Sequence, residues 1–141
     1  TTQDGVGIYG AGNIVNCTIV SNLGSTVAAK LTNGSVVNTI CWGNAGGDLV
    51  YADVVSVTYS CWSECASTRD GNFSADPLFE DAAALDWRLS LCSPCVNAGD
   101  NAVWSSEPDA TDIAGLGRIT GGRVDLGCLE QHLDGLLIIL R

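Results

Sequence analysis

Carboxylates are the commonest reactive side chains here, with 16 Asp and Glu against six Lys and Arg. A glycosidase needs two of them facing each other across a groove. A polysaccharide lyase needs Ca²⁺ and a basic proton acceptor. Asp48 and Asp53 are the acids between the repeated segments described below, Lys30 is the one lysine, and no acid recurs at a fixed period. No set of side chains meets the geometric requirements of a catalytic site, and the chain reads as a non-enzyme. Asp100, Asp109, Asp112 and Asp125 lie in loop-like sequence with Asn97 and Asn101. Oxygen-rich loops suit Ca²⁺. Their spacing fits no EF-hand, so turn capping, with Asp112 or Asp125 paired to Arg118 or Arg123, is the favoured reading. No other cofactor is implied. His132 is the only histidine and has no nucleophile-and-base pattern around it.

Seven cysteines are many for a reducing compartment, and without paired CxxC motifs zinc is not indicated. An extracellular or cell-surface setting fits better. Cys41 and Cys61 stack in adjacent repeats, as a disulfide or as core filler. Cys61 or Cys65 with Cys92 or Cys95 are further candidate pairs, and Cys128 is another candidate. The odd number leaves one thiol free or bonded between chains. Cys92-Ser-Pro-Cys95 lacks the βαβ setting of a redox motif.

These residues must be positioned by a repeat. Val15–Asn22, Val37–Asn44 and Val57–Glu64 are three copies of one segment, 22 and then 20 residues apart. A period near 20 with Gly and Asn turns and short Val/Ile/Thr strands marks a stacked β-solenoid. Stacking puts Asn16, Asn38 and Thr58 in one column and Asn22, Asn44 and Glu64 in another, both read as structural ladders. Ile19, Cys41 and Cys61 make an inward column. Val20, Trp42 and Trp62 then face outward. Trp42 and Trp62 are either a glycan platform or the floor on which the second half packs, and composition favours packing.

Residues 65–76 read as a turn-rich connector. Short strands are expected at 77–80, 87–91, 96–98, 113–117 and 123–129, with one helical turn at Ala82–Leu85. The charge is uneven, net −2 over residues 1–60 and −8 over 61–141. This acidity argues against nucleic-acid binding and against anionic lipid. No stretch reaches membrane-spanning length. Thr1 reads as the start of a mature chain or of a cut fragment.

The second half carries ordered motifs: Asp76-Pro77-Leu78-Phe79, Asp86-Trp87-Arg88-Leu89, Ser93-Pro94-Cys95-Val96-Asn97-Ala98-Gly99, Thr111-Asp112-Ile113-Ala114-Gly115 and Gly122-Arg123-Val124-Asp125-Leu126-Gly127. With the upstream repeats they resemble bacterial cell-surface right-handed parallel β-helix proteins of the choice-of-anchor group, over roughly residues 5–130. The resemblance implies a secreted or surface-displayed β-helix. It implies no activity, since fold alone does not give one.

The expected architecture is all-β: a short right-handed parallel β-helix with a loop-rich C-terminal segment packed along it. One domain spans 1–141, with stacked repeats at 1–64, the C-terminal module at 65–130 and an apolar tail strand at 131–141. Open strand edges at both ends invite further strands. Gly5, Val6, Ile8 and Tyr9 at one end, and Leu136, Leu137, Ile138, Ile139 and Leu140 at the other, are the candidate assembly residues. The expected partner is a second copy, or an upstream β-helix and the cell envelope. A filament subunit or surface module is the first reading. A carbohydrate-binding module is the second, with a polysaccharide lyase or hydrolase behind it.

Overall fold

The computed structural model describes residues 7–24 and 26–132. Gly5, Val6 and Leu136–Leu140, named above as assembly residues, lie outside them. The strands in chain order are β1 (Ile8–Val15), β2 (Thr18–Val20), β3 (Ala29–Val37), β4 (Ile40–Trp42), β5 (Leu49–Tyr51), β6 (Ser56–Thr58), β7 (Cys61–Trp62), β8 (Phe79–Asp81) and β9 (Asp86–Leu89). The described chain is mostly β, with parallel sheets. β1, β3 and β5 form one parallel sheet, with β6 also on β3, and β2, β4 and β7 form a second. β8 and β9 make an antiparallel pair. The helical pieces are short 3₁₀ turns at Arg69–Gly71, Ala82–Ala84 and Asn101–Trp104. Among the described residues no helix is long and apolar enough to cross a membrane.

The 22-residue period holds between the first two repeats, from Ala11↔Asn33 to Val15↔Val37 and again from Thr18↔Ile40 to Val20↔Trp42. The third repeat departs from the expected 20. Val57 lies beside Val36, and Cys61 beside Ile40, an offset of 21. The cause is local. β5 leaves β3 at Tyr51, opposite Leu31, and β6 rejoins at Ser56, opposite Ser35. Four residues, 52–55, therefore face the three at 32–34. A turn closed by Val55 N–H on Ala52 O (2.9 Å) takes up the extra one. Since side chains alternate across a strand, a one-residue slip moves each to the other face. Val36 and Val57 are both buried in this register.

Each repeat bends between the two sheets at one left-handed residue: Asn16 (φ 45°), Asn38 (φ 52°) and Tyr59 (φ 47°). Tyr59, not Thr58, completes that column. Asn suits such a corner, whereas Tyr is held there at some steric cost. The next position is a hydrogen-bond ladder. Cys17 N–H donates to Thr39 Oγ1 (3.4 Å), Thr39 N–H to Ser60 Oγ (3.1 Å) and Ser60 N–H to Asn72 Oδ1 (3.0 Å). Phe73 then bridges in parallel to Cys61. The connector thus adds a partial further layer on β7.

The second sheet is covered on both faces. Cys41 and Trp62 point toward Ile14, Leu31, Val36, Leu49 and Val57 of the first sheet. Ile40 and Cys61 point the other way, against Leu89, Cys95 and Leu126 of the C-terminal segment. That segment holds fewer strands than expected. The 96–98 and 123–129 stretches hold no strand, and 113–117 contributes only the isolated antiparallel bridge of Gly117 to Thr111. Their backbone groups pair singly, as in Leu126 N–H on Cys95 O (3.0 Å) and Gly127 N–H on Asn38 O (2.8 Å), instead of forming ladders. The expected helical turn is present at Ala82–Ala84, capped by the Asp81 side chain.

Candidate functional site

The densest polar constellation is where the C-terminal segment meets the corners. Asn38 Nδ2 donates to Asn16 Oδ1 (3.1 Å) and to Asp100 O (3.0 Å), and Asn38 Oδ1 accepts from Asp100 N–H (2.7 Å). Asn16 Nδ2 donates to Asp125 O (2.9 Å) and Gly127 O (3.2 Å), and Asn16 Oδ1 accepts from the Trp104 indole (2.9 Å). Both asparagines are buried. They run up the stack and also bolt the second half to it. Trp104 escapes a reading of the sequence, because nothing in residues 101–107 has a period that marks it.

Behind the bolt lies a buried charged cluster. Arg118 pairs with Glu130 (3.2 Å) and also donates to Gly127 O (3.1 Å). This corrects the expected pairing of Arg118 or Arg123 with Asp112 or Asp125. Arg123 instead donates to Gly99 O (2.9 Å). Asp112 accepts from the N–H groups of Ala114 (2.8 Å), Leu116 (2.9 Å) and Glu130 (2.8 Å). Asp125 accepts from Asn97 N–H (2.6 Å) and from Gln131 N–H. Asp100 caps the 101–104 turn through Ala102 N–H (3.0 Å), and Asp109 is exposed. Asp100, Asp112 and Asp125 therefore hold backbone amides. Among the described residues no group of three or more His, Cys, Asp or Glu side chains is arranged to hold a metal ion. Burial pushes Glu130 up to about 7 and raises Asp125. Burial also pushes Asp112 up, but its three backbone N–H partners outweigh that and hold it below the ordinary value.

The other ladder is also fully engaged. Asn22 donates through N–H (3.0 Å) and Nδ2 (2.8 Å) to Asn44 Oδ1, and Asn44 Nδ2 reaches Ile19 O (3.0 Å). Glu64 does not extend it, and takes Asp48 N–H instead (3.4 Å). Asp48, the acid best placed for chemistry in the repeats, is 1 % exposed. Its carboxylate accepts from Asn44 N–H (3.0 Å) and Ser63 N–H (3.0 Å). It knots two turns together and faces no groove.

The register of 21 separates the two tryptophans. Trp42 lies beside Val20, while Trp62 lies beside Cys41 and is buried in the inter-sheet core. The expected outward Trp42–Trp62 pair does not exist. Trp62 meets Tyr51 edge-on at 6.2 Å. Trp42 instead lines a 330 Å³ cleft with Phe79 and Trp87. The same slip separates Cys41 from Cys61, which occupy different core clusters. Cys41 S–H donates to Asp48 O (2.9 Å), and burial raises its pKa. Cys61 and Cys95, one of the candidate pairs, share a buried cluster as free thiols. Cys92 is exposed, and Cys65 and Cys128 are half-buried.

Among the described residues the first sheet ends on β1 on one side and on β5 and β6 on the other, where the connector already pairs with β7 of the second sheet through Phe73. At one end β1 is an edge strand, with Ile8 and Tyr9 exposed at 38 % and 67 % beside a 200 Å³ groove. At the other a 460 Å³ cavity opens on core residues Leu49, Val55, Val57 and Trp62, rimmed by Glu64, Arg69 and Asp70. Comparison of the chain with protein-family models, with curated proteins and with solved structures returned no match.

Proposed function

We propose that this chain is a non-catalytic structural module, a short right-handed parallel β-helix of the extracellular or cell-surface kind, that joins end to end with a second copy. Right-handedness is the sense that parallel crossovers take. The observation that carries the reading is the pair of unlike ends. An edge strand with exposed apolar side chains stands at one. A cavity reaching the inter-sheet core opens at the other. Unpaired strand edges recruit strands, and two unlike ends in contact give a contact that does not close, hence a filament. The resemblance to choice-of-anchor β-helix proteins supports the same surface setting. Leu136–Leu140 contribute the apolar sequence of one added strand.

The test is the size of the purified chain by light scattering, followed by electron microscopy. Fibres or concentration-dependent oligomers are expected, and deleting residues 136–140 should abolish them. A monomer at all concentrations overturns end-to-end assembly. Carbohydrate binding is the second reading, favoured by the aromatic cleft of Trp42, Phe79 and Trp87. Stacked or clustered rings suit sugar faces, and Trp42→Ala with an intact fold should then lose glycan binding. No glycan bound by the wild-type chain ends that reading.

A further inference from the structure

We propose that the cleft between the second parallel sheet and the β8–β9 pair binds a small quaternary ammonium cation, a trimethylammonium group with no anionic neighbour of its own. Trp42, Phe79 and Trp87 line this 330 Å³ space together with Val20, Leu78 and Asp76. Its size is at the small end of ligand pockets. Trp42 closes β4 beside Val20, the last residue of β2. Phe79 opens β8 and pairs with Leu89 of β9. Trp42 and Phe79 are anchored by packing on the buried cluster of Ile40, Leu89 and Leu126. Phe79 and Trp87 stand almost at right angles, 82° apart with ring centroids at 5.2 Å. Rings set this way are walls of a box, and a ring face attracts a cation whose charge is spread over a sheath of methyl groups.

Charge decides between a cation and a neutral guest. Among the described residues Asp76 is the only charged side chain of the lining. Its Oδ1 accepts from Leu78 N–H (2.9 Å), and Oδ2 takes no part in that bond. Glu80 and Asp81 follow on β8, both exposed. Arg88 is next to Trp87 in the chain and so lies on the opposite face of β9, with its guanidinium bonded to Asp86 (2.9 Å). Elsewhere the chain supplies its own cations to rings: Lys30 to Tyr9, Arg118 to Trp104 and Arg123 to Tyr59. Among the described residues none is set over Trp42, Phe79 or Trp87. A primary ammonium brings three N–H donors that need acceptors, and this lining is chiefly ring and aliphatic carbon. A fully methylated nitrogen needs none. The net charge of −10 opposes a head group with a phosphate or carboxylate beside the nitrogen. The inference depends on neither end-to-end assembly nor glycan binding.

Calorimetric titration of the full chain with choline tests this, with two analogues beside it. Dimethylbutanol, choline with carbon in place of nitrogen, has the shape without the charge. Ethanolamine has the charge without the methyl groups. Choline should bind at least about tenfold more tightly than either, and more tightly than phosphocholine. Asp76→Asn keeps an acceptor for Leu78 N–H and removes the charge. It should weaken choline binding about threefold, since the carboxylate is exposed, and leave the melting temperature unchanged. Equal binding of dimethylbutanol would make the cleft merely apolar, and equal binding of ethanolamine would make it a general cation site. Either result overturns the proposal. So does an unchanged choline affinity in Asp76→Asn, and so does a glycan bound by a chain that takes up no choline.

Discussion

Asn38 combines two demands that are separable by mutation. Its backbone sits at φ 52°, and its amide serves both Asn16 and Asp100. Asn38→Ala removes the bonds and keeps a β-carbon without the amide that lets Asn tolerate the left-handed region. Asn38→Gly removes the bonds and relieves the strain of the corner. A loss of about 3 kcal/mol is expected for Ala, from buried partners left unpaired, and about 1 kcal/mol less for Gly. Urea unfolding measures both, and equal losses would mean that the corner carries no strain. Glu130 supplies the second prediction at this scale. Its folded pKa of about 7 lies above the ordinary 4.5, chiefly through burial. A raised carboxylate contributes stability that is complete below pH 4.5 and is lost as pH rises through 7. Asp125 acts in the same sense. Asp112, held below 3.8, acts in the opposite sense, and its contribution is lost as pH falls through its depressed value. Stability should therefore peak near pH 4 and fall by about 2 kcal/mol towards pH 8. Glu130→Gln should flatten that fall, and a variant whose fall matches the wild type would remove Glu130 as its cause.

The repeat elements depend on close backbone approach at one place. Gly12 and Gly34 are partners across β1 and β3. Both have positive φ, at 154° and 109°. A β-carbon on Gly34 would stand 1.9 Å from Gly12 O, whereas one on Gly12 meets nothing within 4 Å. Gly12→Ala should cost about 1 kcal/mol, from backbone conformation alone. Gly34→Ala should cost about 3 kcal/mol or more, because β1 must move off β3. Similar urea midpoints for the two variants would refute the pairing of Gly12 with Gly34. Much of the pairing is legible in the sequence. Val15, Val37, Asn16 and Asn38 recur with the right chemistry at 22 residues, and that spacing is the pairing observed. The third repeat misleads because Cys61-Trp62 resembles Cys41-Trp42 at an offset of 20. The true offset is set by the turn at 52–55, whose length no side-chain pattern reports. One residue of slip then displaces Trp62, Cys61 and Tyr59 together from their expected columns.

For the whole molecule the question is what meets the two ends. Tyr9 is exposed on the edge strand, with the Lys30 ammonium 6.0 Å from its ring. Tyr9→Glu keeps an attraction to Lys30 and puts a charge on the edge, a common device against strand recruitment. Self-association read by light scattering should weaken at least about tenfold, with the melting temperature little changed. Unaltered association would move the contact away from β1. The net charge of −10 opposes contact between copies, so added salt should strengthen assembly by screening that repulsion.

The sequence alone determined the β character, the parallel 22-residue stacking of the first two repeats and the asparagine corners. Each follows from local rules of strand alternation, turn conformation and periodicity. The tertiary structure decided the rest. It put Cys61 and Cys95 in one buried cluster, joined Trp104 and Asp125 to Asn16, turned Trp62 inward and set Arg118 on Glu130. These contacts link residues 12 to 109 positions apart. The packing of an aperiodic segment on a sheet face has no signature in spacing, because burial and hydrogen-bond demand act only once the chain has come together.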